Sequence, residues 1–323
     1  MGGKAFTSGP APLFTPRMPP ELYYSLRDHY VSLLSIYYTQ AATPIEAPCK
    51  ASYGDIDVLV SQPKCISINT NTLAKALGAV RSLSTPGSPT ASFAVPYPSL
   101  QDTYVQLDVH VCPPGLFEWQ LFHQSHGDLW NLLGTTIRPV GLTANDVGLH
   151  VRVPEIEEVN RKRGMLFLTS EPDRVLDFLG LDRNKYERPF ESVEALYQFV
   201  LGCRWFSSET YVRAELKAND RKRMAQRELY RRFVDEWLPK NRQFVEMSGE
   251  RTQGAMREDV QEAALTVFGK REQFEQRIQV WRRERSELLE KQERRLRRRA
   301  DVAKGEEYAE AWMNWLERDR PVL

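Results

Sequence analysis

Three aspartates in β-forming surroundings carry the most chemistry in this chain. Two of them, Asp55 and Asp57, stand one residue apart in KASYGDIDVLVSQP, Lys50–Pro63. On a strand, Ile56, Val58 and Val60 take one face, and Asp55, Asp57 and Leu59 take the other. Two carboxylates about 6–7 Å apart on one strand face repel each other unless water, cations or a metal lie between them. Taken alone, such a pair reads as a solvated edge strand. The third acid, Asp108, sits in TYVQLDVHV, residues 103–111. That run alternates, with Tyr104, Gln106, Asp108 and His110 on one face and Val105, Leu107, Val109 and Val111 on the other. If the two strands are neighbours, Asp55, Asp57 and Asp108 converge. Three carboxylates so placed hold two ions about 3.5–4 Å apart, one activating a hydroxyl and one stabilising a triphosphate and its leaving group. Oxygen ligands of this kind select a hard cation, Mg2+ or Mn2+, over zinc.

The elements that must position these acids follow from the pattern around them. PPELYYSLRDHYVSLLSIYYTQ places Leu22, Leu26, Tyr30, Leu33, Leu34 and Tyr37 at helical spacing behind two prolines. AATPIEAPCKASYG is a loop into the first acidic strand. NTNTLAKALGAVRSL predicts a short capped helix, and STPGSPTAS a mobile loop. EWQLFHQSHGDLWNLLG reads as helical and IRPVGLTANDVGLHVRV as two strands around a turn. MLFLTSEPDRVLDFLGL changes from strand to helix at Ser170, with Ser170 and Asp173 spaced as a capping box. From Val193 onward the pattern is helical. Its last part, about 255–299, keeps Val260, Ala264, Val267, Phe274, Ile278, Trp281 and Leu288 near a coiled-coil period of about 3.5, interrupted by Arg271 and Arg285.

The G-D-I-D run and the distant Asp108 strand resemble the DNA polymerase beta-like nucleotidyltransferase superfamily. TSEPDRVLDFLGLD, Thr169–Asp182, is similar to a T-x-E-x-D segment that follows the palm in family-X polymerases, and TIRPVGLT to the stretch before that palm ends. The resemblance covers about residues 20–185, with the acids as its specific part. It implies that Asp55 and Asp57 bind both metal ions and that Asp108 assists the one that activates the incoming hydroxyl. The chain departs from the family in one place. A Gly-Ser pair opening a helix, which cradles the triphosphate, is replaced here by TPIEAPCKAS with two prolines. Lys50, Ser52 and Gly54 are the candidate replacement nucleotide contacts.

Bulk properties bound the rest. The chain has 323 residues, 41% hydrophobic and 27% charged, with a formal net charge of +1. That balance excludes wholesale disorder and whole-protein adhesion to nucleic acid or membrane, though not a local patch. Cys49, Cys65, Cys112 and Cys203 show no C-x-x-C spacing, which suits reduced thiols in the cytoplasm or nucleus. No apolar run approaches a membrane span or a signal core. Lys217, Arg221, Arg223 and Arg227 lie on a basic helix with aromatic residues interleaved, a solvated helix or a contact for phosphate and nucleic acid. His123 and His126 are spaced to share a helix face but have no third ligand, so they read as packing residues. His110 shares a strand face with Asp108. WRRERSELLEKQERRLRRRADVAK intersperses Glu284, Glu287, Glu290 and Glu293 and concentrates its basic excess at Arg294–Arg299, as on an ion-paired exposed helix; the sharper alternative is a nucleic-acid contact or import signal. Trp312, Trp315 and Leu316 form a stripe that needs a surface to bury against.

The expectation is an α+β protein. Residues 1–20 form a flexible arm, 21–165 a nucleotidyltransferase-like palm with a mixed sheet, 166–245 a helical, thumb-like domain, and 246–323 a basic helical extension containing a long C-terminal helix. The expected activity transfers a nucleotidyl group from an NTP or dNTP to a hydroxyl, at a DNA or RNA 3′ end. The competing expectation is an inactive scaffold of the same fold that binds a protein partner or RNA through its C-terminal helices.

Overall fold

The computed structural model describes residues 3–211, 226–241 and 253–318. In chain order its elements begin with α1 (Pro20–Tyr37), β1 (Tyr38–Ala42), β2 (Asp55–Pro63), α2 (Thr70–Ala76), β3 (Arg81–Ser84), β4 (Thr90–Pro96) and β5 (Tyr104–Val111). They continue with α3 (Phe117–Gln124), α4 (Leu129–Ile137), β6 (Leu142–Asn145), β7 (Gly148–Arg152), α5 (Pro154–Glu157) and β8 (Met165–Thr169). The helical part comprises α6 (Pro172–Leu179), α7 (Arg183–Tyr186), α8 (Val193–Leu201), α9 (Glu228–Arg232), α10 (Gln253–Val267) and α11 (Arg271–Arg318).

The first sheet has the order β1-β2-β5-β4-β3 and is mixed: β2 and β5 run parallel, and the other pairs are antiparallel. A parallel pair needs a crossover, which α2, β3 and β4 supply. One face of the sheet packs Ile56, Val58, Val60, Val105, Leu107 and Val109 against Tyr23, Leu26, Tyr30 and Leu34 of α1. Each such aliphatic side chain contributes about 1.5–3 kcal/mol on full burial. A one-residue slip of β2 would turn Asp55 and Asp57 into this core, so the apolar face fixes the register that sends the acids the other way. On that other face, Leu59 packs with Cys112 and with Phe117 of α3, and Gln120 of α3 meets His110 at 3.1 Å. Asp55 and Asp57 lie at the N-terminal end of β2, and Asp108 lies midway along β5, one pair before the Leu59–His110 pair.

The second sheet is the antiparallel β6-β7-β8. A largely aromatic core ties the helices around it. The Tyr186 hydroxyl donates to the Phe122 carbonyl at 2.5 Å and accepts from Trp130 Nε1 at 2.9 Å. Helix α9 passes into a π-helical turn, Phe233–Trp237, and on into Leu238–Lys240. There Phe233 and Trp237 stack on each other and lie against Tyr197. Two compact units result: the chain up to Arg152 together with Met165–Phe268, and Val153–Gly164 together with the chain from Gly269. Within the second unit, Arg282 pairs with Glu155 at 2.9 Å, Arg163 pairs with Glu284, and Arg163 lies over Trp281.

Several expectations change against this architecture. The first helix ends at Tyr37, and Tyr38 to Ala42 form an edge strand instead of a last helical turn. The loop read in STPGSPTAS is only the turn of a hairpin, with Ser84 closing β3 and Thr90 opening β4. Ser170 does not cap α6; the N-cap is Glu171, whose amide donates to Thr169 Oγ1 at 3.1 Å. The apolar seam of residues 260–288 is not continuous. Gly269, at φ +62°, breaks it, so Val260 and Ala264 are buried in one unit and Phe274 and Trp281 in the other, while Leu288 is exposed. The arm read as flexible is pinned along residues 3–18: Phe6 and Met18 are buried, and Phe14 and Met18 make β-bridges to Thr103 and Tyr53. The side chains of Trp312, Trp315 and Leu316 lie outside the described residues.

Candidate functional site

Asp57 stands directly opposite Asp108 across the parallel β2–β5 pair, and Asp55 opposite Gln106. Neighbouring strands are about 4.8 Å apart, so the register brings all three acids onto one small patch. Their electrostatics bear the mark of that crowding. Burial, with the charge of Asp108 adding to it, raises the Asp55 carboxyl above its ordinary value, while a hydrogen bond from Gly3 and the charge of Lys50 oppose the rise. The Asp57 carboxyl is pushed up to about 7, first by desolvation and then by Asp55, Asp108 and Glu46. Asp57 is nonetheless open to solvent. No donor among the described residues reaches Asp57. Asp108 Oδ2 accepts from Gln106 Nε2 at 2.9 Å, whereas Asp108 Oδ1 is buried without a partner. Among the described residues no three His, Cys, Asp or Glu side chains close around one point.

The loop from Thr43 to Gly54 enters this patch without forming a helix. Lys50 is held by Glu46 at 2.6 Å and lies over the Tyr53 ring; Glu46 also accepts from the Tyr23 hydroxyl. Ser52 is clamped by Arg17, which donates to its hydroxyl at 2.7 Å and its carbonyl at 2.5 Å. Gly54 is buried under Gly3. Lys50 and Ser52 line a cavity of about 840 Å³, together with Arg17, Asp128, Arg227 and Arg232. Arg227 is paired with Asp128, while no carboxylate among the described residues pairs with Arg17 or Arg232. Of the basic helix named from the sequence, Arg227 is therefore brought to the loop, and Lys217, Arg221 and Arg223 lie outside the described residues.

The three histidines named from the sequence are packed or hydrogen-bonded within the fold. His126 is fully buried, its Nε2 donating to the Tyr186 carbonyl at 2.7 Å, and His123 stacks on Trp119. His110 is held on both nitrogens, by Thr90 Oγ1 and Gln120 Oε1. On the terminal helix, Arg294 pairs with Glu290 one turn away. Two site residues escaped sequence reasoning. Gln106 was already assigned to the acids' face by alternation, which was the available signal. Arg17 offered none, because its partner lies 35 residues on. No helix among the described residues is long and apolar enough to cross a membrane. Compared with protein-family models and with curated proteins, the chain matches none.

Proposed function

We propose that the chain is a metal-dependent nucleotidyltransferase built on a palm-like sheet, acting from a nucleoside triphosphate on the 3′ hydroxyl of DNA or RNA. The observation that carries this reading is the acid patch: Asp57 beside Asp108 in register, Asp55 on the same face, and one Asp108 oxygen buried with no donor. Raised carboxyls and an orphaned oxygen are what a cluster built for a cation looks like without one. Magnesium keeps several waters and is commonly held by one or two carboxylates plus substrate phosphates, so three ligands around one point are not required. Asp55 and Asp57 would hold two Mg2+ or Mn2+ ions, with Asp108 assisting the one near the attacking hydroxyl. When bound, these ions supply activation of the hydroxyl and neutralisation of charge on the transferring phosphorus.

The chain's own residues do the rest. With no helix N-terminus in the Thr43–Gly54 loop, the polyphosphate would be held by side-chain cations: Arg17 and Arg232, which no carboxylate among the described residues pairs with, and Lys50 and Arg227, which are partly neutralised. Arg17 also fixes Ser52 and with it the entry to β2. The missing helical cradle favours a second reading, a nucleotide-free scaffold that docks a protein or RNA. Incorporation of labelled nucleotides by wild type and Asp57→Asn, with Mg2+ or Mn2+, separates the two. Incorporation lost in the variant supports the enzyme. Equal incorporation by both excludes the acid patch, and absence of any thermal stabilisation by metal and triphosphate supports the scaffold.

A further inference from the structure

The geometry points to the N-terminal strap, residues 3–15, as a positioning element of the acid face. It turns one oxygen of Asp55 and one of Asp108 inward and leaves the remaining carboxylate oxygens for a divalent cation; this rests on reading that face as a metal platform. The Gly3 amide donates to Asp55 Oδ2 at 3.1 Å. The Ala5 amide donates to Gln106 Oε1 at 2.8 Å, and Gln106 Nε2 passes the constraint to Asp108 Oδ2 at 2.9 Å. Gln106 is buried, so its amide has little freedom to rotate, and the strap decides which way it points.

Two features argue that the strap aims the acids and does not plug them. Asp57, the most open of the three, receives no donor from it, and Asp108 Oδ1 is left buried with no donor. The donors are also neutral. A lysine or arginine in the same place would cancel the negative charge that holds a divalent ion, whereas amide groups orient the carboxylates and leave their charge intact.

The strap is itself fixed from several sides. Phe6 is buried, the Leu13 amide donates to the Phe6 carbonyl at 2.8 Å, and Thr15 Oγ1 donates to the Gly3 carbonyl at 2.9 Å. The Tyr104 amide donates to the Phe14 carbonyl at 2.9 Å, and Arg81 holds the Ala11 carbonyl at 2.5 Å. Glycine is required at position 3. Its φ is +71°, and a Cβ there would lie 2.3 Å from the Gly54 carbonyl oxygen. A side chain would lift the strap from the residue that precedes Asp55.

The test measures Mn2+ binding to the full chain, by the loss of the free-ion electron paramagnetic resonance signal, for wild type, Gly3→Ala, Gln106→Met and Arg81→Met. Metal sites lose about 10–100-fold in affinity when an outer-shell partner is removed. Gly3→Ala and Gln106→Met are expected to weaken Mn2+ by that factor. Arg81→Met, which frees the strap at Ala11, leaves Mn2+ affinity unchanged while lowering the melting temperature. A purely structural strap would not give that split between affinity and stability. Hydrogen exchange adds a metal-free readout, in which the Ala5 amide loses protection in Gln106→Met. If wild type binds Mn2+ and both site variants bind it equally well or more tightly, the strap's role is overturned and the acid platform stands. If wild type binds no Mn2+, both are overturned.

Discussion

Replacing Asp57 by Asn isolates the cost of gathering the acids. In the folded chain the Asp57 carboxyl sits at about 7 against an ordinary 3.8. At about 1.36 kcal/mol per pKa unit, that gap corresponds to roughly 4 kcal/mol as an upper bound. Asp57 is open to solvent, and screening reduces the figure to about 1–2 kcal/mol. The sign follows from linkage. A carboxyl raised on folding makes the folded chain bind more protons than the unfolded one between the two values, so stability falls as pH rises from about 4 through 7. Asparagine does not titrate. Without metal, Asp57→Asn is therefore expected to be more stable than wild type at pH 8 by about 1–2 kcal/mol, roughly 2–4 °C in melting temperature per kcal/mol for a chain of this size. The difference should close near pH 4. Mg2+ at ten times its dissociation constant adds about 1.4 kcal/mol to wild type alone. Thermal melts from pH 4 to 8, with and without Mg2+, read both effects. A variant less stable than wild type at pH 8 without metal, or stabilised by Mg2+ as much as wild type, would refute the reasoning.

His126 gives the opposite pH dependence. Burial lowers its imidazole to about 4 from 6.5, and its Nδ1 has no partner, so stability should fall as pH drops from 6.5 toward 4, by up to about 3 kcal/mol. His126→Asn, which tolerates the φ of +63°, should be less stable at pH 7.5, with the gap narrowing on acidification; urea melts showing a constant gap would contradict this. Tyr186→Phe strips a donor from the Phe122 carbonyl and an acceptor from Trp130, and should cost about 2–4 kcal/mol in urea denaturation. Arg232→Gln removes a cation of the cavity that no carboxylate among the described residues pairs with, and should weaken inorganic triphosphate binding about 10-fold in calorimetry with a shallower salt dependence. Unchanged affinity would move the polyphosphate elsewhere.

The parts of the fold that sequence made legible are those where burial is one-sided. β2 and β5 alternate because one face meets α1 and the other bears the acids, so faces could be assigned residue by residue, while their pairing and register come only from the sheet. Strands β1, β3 and β4 were not legible. RSLS is short and partly exposed, TASFAVP begins inside a run of turn residues, and YTQAA follows an apolar helix whose spacing Tyr37 and Tyr38 prolong. Their strand character comes from ladder partners, which local pattern does not encode. The three acids were named from their strand setting, but the bonds that clamp Ser52 to Arg17, Asp55 to Gly3 and Gln106 to Ala5 join residues far apart in the chain. Composition likewise marked residues 1–20 as loose, because Pro, Gly and Ser say nothing of a surface waiting for them.

The strap also has a consequence for synthesis. Gly3 docks on a residue 52 positions later, and Ala5 on one 101 positions later. At about 5–20 residues per second, the second contact becomes available only some 5–20 s after the strap is made. Asp55 is likewise synthesised before β5, the strand that carries its cross-strand partner Gln106. The acid face is therefore completed as a late event, by the earliest-made of its parts.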